Sequence, residues 1–293
     1  MNISRKLVKL LYADKEIESS KMEKRYRLDS EDEAQRLEDQ SSQDNYSIKN
    51  ELQIAGVEIQ PNDFILDAGC GTGLLSRALI DLFPEINFKI DAIDVTPRLL
   101  EYAKEETSKN PHYLKRINFQ EKDICELNSE NTYHKIFSRF VFQHLPNKET
   151  QLKAAKSLYH SLAPGGSLCV IDCYGFLSHL DTNNFWLKEQ IQRVEESIPI
   201  DMNIGIKLRG LFLDCGVPEG EVKTKIENFK FETKEQRQIE AKLWKQRFIN
   251  VRPLLHSLFG EETSTRFSEE YVSEILNPRT NIHAQKFIVQ VMK

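Results

Sequence analysis

Residues 64–174 alternate short apolar runs with amphipathic segments of about 10–15 residues, and this alternation constrains the fold more than any other feature. The apolar runs are rich in β-branched and aromatic residues and end at turn residues, which is typical of strands. The predicted strands are "FILDA", "FKIDAID", "RINFQEKD", "KIFSRFVF" and "SLCVIDCY". Strands separated by helices imply right-handed crossovers, a mostly parallel sheet and helices on both of its faces. The sequence therefore predicts an α/β fold.

The segments on either side of this alternation show weaker patterns. An N-terminal helical arm or lid is expected over residues 1–58, where Ser30 and Glu33 fit a capping box, and the α/β domain over 59–293. A helical insertion is expected at about 176–220, followed by a strand in "EVKTKIENFKF". One long charged helix is predicted for "ETKEQRQIEAKLWKQRFINVRPLLHSLF", before a closing antiparallel strand in "AQKFIVQVMK".

Composition argues against several classes of protein. The formal net charge is −5, whereas a nucleic-acid-binding domain needs clustered positive charge against phosphate. The five cysteines include no C-x-x-C pair, so neither a disulfide framework nor a zinc site is predicted, and no metal is expected. No window reaches the roughly 18 apolar residues of a membrane helix, and the N terminus lacks a continuous apolar segment, so we expect a cytoplasmic protein.

The turn after the first predicted strand, "DAGCGTG", holds Gly69, Gly71 and Gly73 in the spacing G-x-G-x-G. Gly-rich turns between a strand and a helix serve phosphates, dinucleotides and other adenosine-containing cofactors. The dinucleotide fingerprint fails because Leu74 stands where its third glycine belongs, and no G-K-[ST] follows as in a Walker loop. The turn thus predicts either a different adenosine cofactor or a purely structural bend.

Acidic residues end the next two predicted strands. Asp94 is placed where a carboxylate can accept hydrogen bonds from a ribose diol, although it also suits an ordinary strand-end cap. Asp123 is placed where it can accept from the exocyclic amine of adenine, and taken alone it is equally well a turn residue. Together with the glycine turn, the two carboxylates favour an adenosine cofactor.

Five segments resemble, in order and in spacing, the motifs of class I S-adenosylmethionine-dependent methyltransferases: "ILDAGCGTG", "AIDVTPRLLEYAKE", "EKDI", "FSRFVFQHLPN" and "LAPGGSLCVID". The resemblance covers residues 60–175. It implies a Rossmann-like three-layer sandwich with a seven-stranded, mostly parallel sheet whose last strand is antiparallel. Lys135 departs from the pattern, since many members carry Asp there, but that position is usually structural.

The resemblance implies S-adenosyl-L-methionine as the cofactor and a set of residues around it. Asp67 would lie near the ammonium group, Asp94 at the ribose, and Asp123 with Ile124 at the adenine, which Val95 could also contact. The implied cofactor-binding residues are Asp67, Gly69, Cys70, Gly71, Gly73, Asp94, Val95, Asp123, Ile124, Arg139 and Phe140.

Residues for the acceptor side are predicted with alternatives. His144 is the candidate general base, or else it anchors its loop; Asp172 faces the acceptor, or else it is an ordinary strand-end residue. Tyr26 or Gln40 would close over the cofactor if the N-terminal helices form a lid, and an exposed helix is the alternative. Aromatic and apolar side chains after the fifth strand predict either a pocket for a flat or lipophilic acceptor or plain core: Phe176, Phe185, Trp186 and Leu187.

We therefore predict a methyltransferase that acts on a small organic acceptor by in-line displacement. The fourth strand carries neither [DNS]-P-P-[YF] nor Pro-Cys, which argues against transfer to exocyclic base amines and to cytosine carbon. A protein or RNA acceptor and a non-catalytic S-adenosylmethionine-binding protein remain as alternatives. No nucleic-acid partner is expected, and a homodimer is compatible with the sequence.

Overall fold

The computed structural model describes residues 31–175, 177, 178, 180–198 and 200–293. The predictions for Ser30, Tyr26 and Phe176 lie outside the described residues. The strands are β1 Phe64–Ala68, β2 Lys89–Asp94, β3 Ile117–Glu121, β4 Tyr133–Arg139, β5 Leu162–Tyr174, β6 Leu180–Asp181, β7 Val222–Asn228, β8 Asn281–Ile282 and β9 Gln285–Met292. The helices are α1 Glu31–Ser41, α2 Ile48–Ala55, α3 Leu74–Leu82, α4 Pro97–Ser108, α5 Pro111–Leu114, α6 Lys148–Ser161, α7 Phe185–Ser197, α8 Leu208–Asp214, α9 Lys234–Asn250, α10 Arg252–Phe259 and α11 Glu261–Leu276.

Seven strands form one sheet in the order β3-β2-β1-β4-β5-β9-β7, and β6 pairs with β8 separately. The pairs β1–β2, β2–β3, β1–β4 and β4–β5 are parallel, whereas β9 runs antiparallel to both β5 and β7. This confirms the predicted fold class, a Rossmann-like α/β sandwich with an antiparallel last strand. The strand order reverses between β1 and β4, and in such sheets ligands bind at the carboxyl ends of the strands beside that point.

Apolar side chains cover both faces of the sheet. Successive residues of a strand point to opposite faces, so Leu66 packs with α6 and α8 while Ile65 packs with α2 and α3. Both side chains have no exposed surface. The fully buried centre of the sheet explains why β1 and β4 read as continuous apolar runs.

The C-terminal helices differ from the prediction. The predicted single long helix is two helices, because Val251 leaves the helical conformation and Pro253 follows at the start of α10. Gly260, with a φ of 78°, then ends α10, and α11 follows as a helix that the sequence analysis did not anticipate. Helix α7 of the predicted insertion packs against α9 and α11 in one apolar cluster, which includes Trp244 and Tyr271. The helical part of the molecule therefore draws on two separated stretches of chain.

Candidate functional site

A cavity of about 560 Å³ lies at the carboxyl ends of β1 to β5. Its lining includes the glycine turn after β1, the ends of β2, β3 and β4, and side chains of α1, α9 and α10. Gly73 is buried and is not part of the cavity lining. The other ten predicted cofactor-binding residues line the cavity together with His144: Asp67, Gly69, Cys70, Gly71, Asp94, Val95, Asp123, Ile124, Arg139 and Phe140.

The three glycines of the turn have left-handed backbone conformations, with φ of 79°, 52° and 75° at Gly69, Gly71 and Gly73. A Cβ at Gly69 would lie 2.4 Å from Cγ2 of Val141, and a Cβ at Gly73 would lie 3.0 Å from the ring of Phe119. A Cβ at Gly71 would meet no described atom within 4 Å, and Gly71 lines the cavity. Packing therefore requires the outer two glycines, whereas Gly71 leaves room for a ligand to approach the backbone.

Asp94 connects the glycine turn to the start of α4. Its Oδ2 accepts from the Gly71 N–H at 2.8 Å, and its Oδ1 accepts from the Thr96 N–H at 2.9 Å. The Thr96 side chain, predicted as the cap of α4, makes no capping hydrogen bond within the described residues. A carboxylate has about four acceptor positions, so both oxygens of Asp94 can still accept from a ligand in the cavity.

Asp67 is a carboxylate held almost out of water. It is 2% exposed, and Ser76 Oγ donates to its Oδ2 at 2.6 Å. Burial raises the pKa of Asp67 to about 6; the Ser76 hydrogen bond opposes this rise, and the nearby Asp94 charge adds to it. A buried carboxylate on a cavity wall favours a cationic group beside it.

Two residues at the end of β3 complete this side of the cavity. Asp123 Oδ1 accepts from the Cys125 N–H at 2.8 Å and so caps the short helical turn that follows. Ile124 is 5% exposed and presents an apolar surface to the cavity. The pair thus offers an exposed carboxylate next to an apolar face, which suits the edge and plane of a purine.

Arg139 is held by a buried carboxylate that the sequence analysis did not identify. Its Nε and Nη2 contact Glu51 at 2.6 and 3.1 Å, and Nη2 also donates to the Tyr46 carbonyl oxygen at 2.9 Å. Glu51 further accepts from Lys286 Nζ at 3.1 Å, and neither Glu51 nor Lys286 is exposed. Burial raises the pKa of Glu51, but Arg139 and Lys286 outweigh burial and hold that pKa below its usual value. The sequence signal for this buried ion pair was Lys286, a lysine inside the apolar run of β9.

Phe140 follows Arg139 with a φ of 57°, which is rare for a residue with a large side chain. The Arg139 guanidinium lies 4.6 Å from the centre of its ring. The bend places Val141, Gln143 and His144 on the cavity.

His144 lies at the cavity near α1. Burial lowers its pKa to about 4, with the Glu33 charge opposing the shift and the Arg36 charge adding to it. The imidazole is therefore neutral at pH 7, with a free-energy cost for accepting a proton.

Of the two interpretations predicted for Asp172, an acceptor contact or a strand-end residue, the structure agrees with the strand-end residue. It is fully buried, accepts from the Gln143 N–H at 3.1 Å and the Cys173 N–H at 2.9 Å, and is not among the described side chains that line the cavity. Burial raises its pKa to about 7. It supports the loop of His144 from beneath.

Polar side chains of α1 and α9 meet at the cavity. Asn250 Nδ2 donates to Glu33 Oε2 at 2.7 Å, and Arg247 Nη2 donates to Gln40 Oε1 at 3.2 Å. Arg36 contacts Glu33 at 2.6 Å. Glu33 is thus bonded both to Arg36 of its own helix and across to α9. Of this cluster only Gln40 was a predicted site residue.

A second part of the cavity, here called the apolar lobe, is lined by side chains from two stretches of chain. The first stretch contributes Leu177, Val194, Ile198, Ile200 and Met202. The second contributes Trp244, Phe248, Val251, Leu254 and Leu255.

The described residues that were predicted to form the acceptor pocket, Phe185, Trp186 and Leu187, do not line the cavity. Phe185 is 83% exposed, Leu187 is fully buried in the helical core, and Trp186 packs beneath the Arg266 guanidinium at 4.0 Å. Helical spacing alone did not show which face of α7 borders the cavity, because that face depends on α9 and α10.

The described residues contain neither a candidate metal site nor a candidate membrane-spanning helix. No group of three or more His, Cys, Asp or Glu side chains is arranged to hold a metal ion. No described helix is long and apolar enough to cross a membrane.

Known proteins resemble this chain over part of its length. The sequence family described as "Methyltransferase domain" matches residues 65–166. Malonyl-[acyl-carrier protein] O-methyltransferase 1 of Ilyobacter polytropus is 36% identical over 120 residues, so the match spans only 41% of this chain and 41% of that relative. A malonyl-[acyl-carrier protein] O-methyltransferase of Bacillus anthracis is 27% identical over 210 residues, or 71% of this chain and 67% of that protein.

Solved structures share the fold at low sequence identity. A cyclopropane synthase of Mycobacterium tuberculosis matches with a TM-score of 0.58 and 13% identity over 84% of each chain. A phosphoethanolamine N-methyltransferase of Haemonchus contortus, solved in complex with S-adenosyl-L-methionine, matches with a TM-score of 0.54 and 16% identity over 83% of this chain and 52% of that one. At these low identities the similarity concerns the fold alone.

Proposed function

We propose that this chain, whose residues 65–166 match the sequence family described as "Methyltransferase domain", transfers a methyl group from S-adenosylmethionine to a small organic acceptor. One observation carries the proposal: a single cavity joins the glycine turn and acidic strand ends to an apolar lobe. A donor site and an acceptor site must share one enclosed space, because the methyl group passes directly between the two molecules.

The residues on the strand-end side of the cavity fit the cofactor. The open space at Gly71 would admit its amino acid end and ribose, Asp67 would lie beside its ammonium group, and Asp94 would accept from the ribose hydroxyls. Asp123 and Ile124 would bracket the adenine, and the exposed side chain of Val95 would cover its other side. Gly69, Gly73 and Cys70 shape the turn, while Arg139 and Phe140 form the wall beside it.

The sulfonium cofactor supplies an activated methyl group, so the protein contributes mainly orientation and exclusion of water. Holding the acceptor atom about 3–3.5 Å from the methyl carbon, in line with the bond that breaks, can supply several kcal/mol. The contacts of α1 with α9 close one side of the cavity. His144 is neutral at pH 7, so it can accept a hydrogen bond or a proton from an acceptor.

The cofactor assignment is tested by S-adenosylhomocysteine binding, measured by calorimetry. Asp94→Ala should weaken binding at least about tenfold, the scale of one lost hydrogen bond to a charged group. Asp91→Ala is the matched control, because Asp91 lies on the same strand, accepts from Asn118 and Tyr133, and is not part of the cavity lining. Equal affinities for the two variants would reject the ribose assignment.

A second candidate is methylation of the free carboxylate of a malonyl group attached to an acyl carrier protein, as the names of the matched relatives suggest. The low pKa of His144 favours it, because a carboxylate is already ionised at neutral pH and needs no strong base. Incubation of malonyl-carrier protein with labelled S-adenosylmethionine should yield a base-labile label on the carrier protein. Absence of label there, with label on small molecules of a metabolite extract, would favour a free acceptor.

A further inference from the structure

The apolar lobe offers hydrocarbon contact on several sides. Val194, Ile198 and Met202 border it from one stretch of chain, and Val251 and Leu254 from the other. None of these side chains ends in a hydrogen-bonding group apart from the weakly accepting thioether of Met202. A ligand in this lobe gains free energy mainly by removing apolar surface from water.

The charged residues near the lobe are arranged in pairs of opposite sign. Arg36 contacts Glu33 at 2.6 Å, and Arg247 contacts Glu240 at 3.1 Å. Each pair has no net charge, so the attraction that it exerts on a charged acceptor is weak. Electrostatic attraction is therefore a minor source of acceptor affinity on this side of the cavity.

The aromatic residues of the lobe are engaged with other rings. The ring centroids of Trp244 and Phe248 are 5.3 Å apart, and those of Trp244 and Tyr271 are 4.7 Å apart. The remaining wall consists of branched aliphatic side chains and the adaptable Met202. Such a wall suits a flexible hydrocarbon chain better than a flat ring, which binds best against a free aromatic face.

We infer that the methyl acceptor carries an aliphatic chain that fills the apolar lobe, and that contacts with this chain determine which acceptors are used. This inference rests on the proposed function, because it names the acceptor class of that site. A short, highly charged acceptor would leave the lobe without a partner. The preferred acceptor therefore combines a methylatable polar atom at the His144 side of the cavity with a saturated hydrocarbon body.

The test measures binding of straight-chain carboxylic acids from four to twelve carbons, with malonate as the short charged comparison. Calorimetry is run on the 293-residue chain, both alone and saturated with S-adenosylhomocysteine. Affinity should rise about fourfold for each added methylene until the lobe is full, because each buried methylene contributes about 0.8 kcal/mol. The slope should be the same at low and high ionic strength, because apolar burial is not screened by salt.

Variants at the lobe separate its role from general stability. Met202→Lys should lower the affinity for decanoate at least tenfold, whereas Met202→Leu should stay within about twofold. Ile206→Lys is the matched control, because Ile206 lies in the same segment but is 50% exposed and outside the cavity lining. Circular dichroism and S-adenosylhomocysteine affinity should be the same for all three variants.

Three results would overturn the inference: an affinity independent of chain length, tighter binding of malonate than of decanoate, or equal losses in Met202→Lys and Ile206→Lys. Failure of S-adenosylhomocysteine to bind would instead reject the proposed function. The chain-length series on the protein alone would then still report on the lobe, so the two failures are distinguishable.

Discussion

Replacement of Asp67 by Asn should stabilise the cofactor-free protein at neutral pH while it weakens cofactor binding. Asp67 is 2% exposed, and burial raises its pKa from the usual 3.8 to about 6. Its ionised form is therefore disfavoured in the folded protein relative to the unfolded chain. Asn has the same shape, carries no charge, and keeps an oxygen that can accept from Ser76 Oγ.

The magnitude follows from the pKa of Asp67. A rise from 3.8 to about 6 corresponds to about 3 kcal/mol of stability that the folded state loses when the carboxyl group ionises. Because the folded pKa is the higher one, the contribution of Asp67 is fully favourable below pH 3.8 and is lost as the pH rises through about 6. The Asn variant should gain about 3 kcal/mol over wild type near pH 7.5, and only about 0.5 kcal/mol near pH 4.

Urea denaturation of both proteins at these two pH values measures the difference, with circular dichroism as the signal. Calorimetry with S-adenosylhomocysteine at pH 7.5 should show weaker binding to Asp67→Asn, because the ammonium group loses a buried anionic partner. A stability difference that does not change with pH, or a variant less stable than wild type at pH 7.5, would refute the reasoning about burial. Unchanged affinity would refute the ammonium contact alone.

Two further substitutions test the supports of the site. Glu51→Gln should lower the free energy of unfolding by about 3–5 kcal/mol in urea denaturation, because Arg139 and Lys286 lose the buried anion between them; a loss below about 1 kcal/mol would contradict this role. Gly73→Ala should lower the melting temperature, because its φ of 75° and the Phe119 ring 3.0 Å from the new Cβ cost about 1–3 kcal/mol. Gly210→Ala is its control in calorimetric scans, because nothing lies within 4 Å and alanine favours the helix there, so its melting temperature should stay or rise.

Strands β1 to β5 and the glycine turn were predictable because their signals are local. A buried strand must be short, apolar and bounded by turns, and a left-handed bend after β1 needs glycine at defined positions. Gly71, Asp94 and Asp123 lie at consecutive strand ends, and parallel crossovers bring those ends to one edge of the sheet. The strands β1, β2 and β3 are consecutive in the sequence and also adjacent in the sheet.

The helical side of the cavity was less predictable. The break at Val251 depends on Pro253, whose signal was weaker than the surrounding helical pattern. The mostly polar sequence of α11 includes a buried face that contains Phe267 and Tyr271, and only the packing of α7 and α9 shows where that face lies. Glu51 gave no sign of its role because its partners follow 88 and 235 residues later.

The sequence by itself determined the fold class and the residues that line the strand-end side of the cavity, because residues 64–124 carry these signals within short spans whose geometry follows from backbone conformation. Only the tertiary structure decided the acceptor side of the cavity. There, Asn250 reaches Glu33 across 217 positions and the apolar lobe combines two distant stretches of chain. Such contacts depend on how amphipathic helices pack against one another, and a helix's own periodicity shows that it has a buried face but not which neighbour or cavity that face borders.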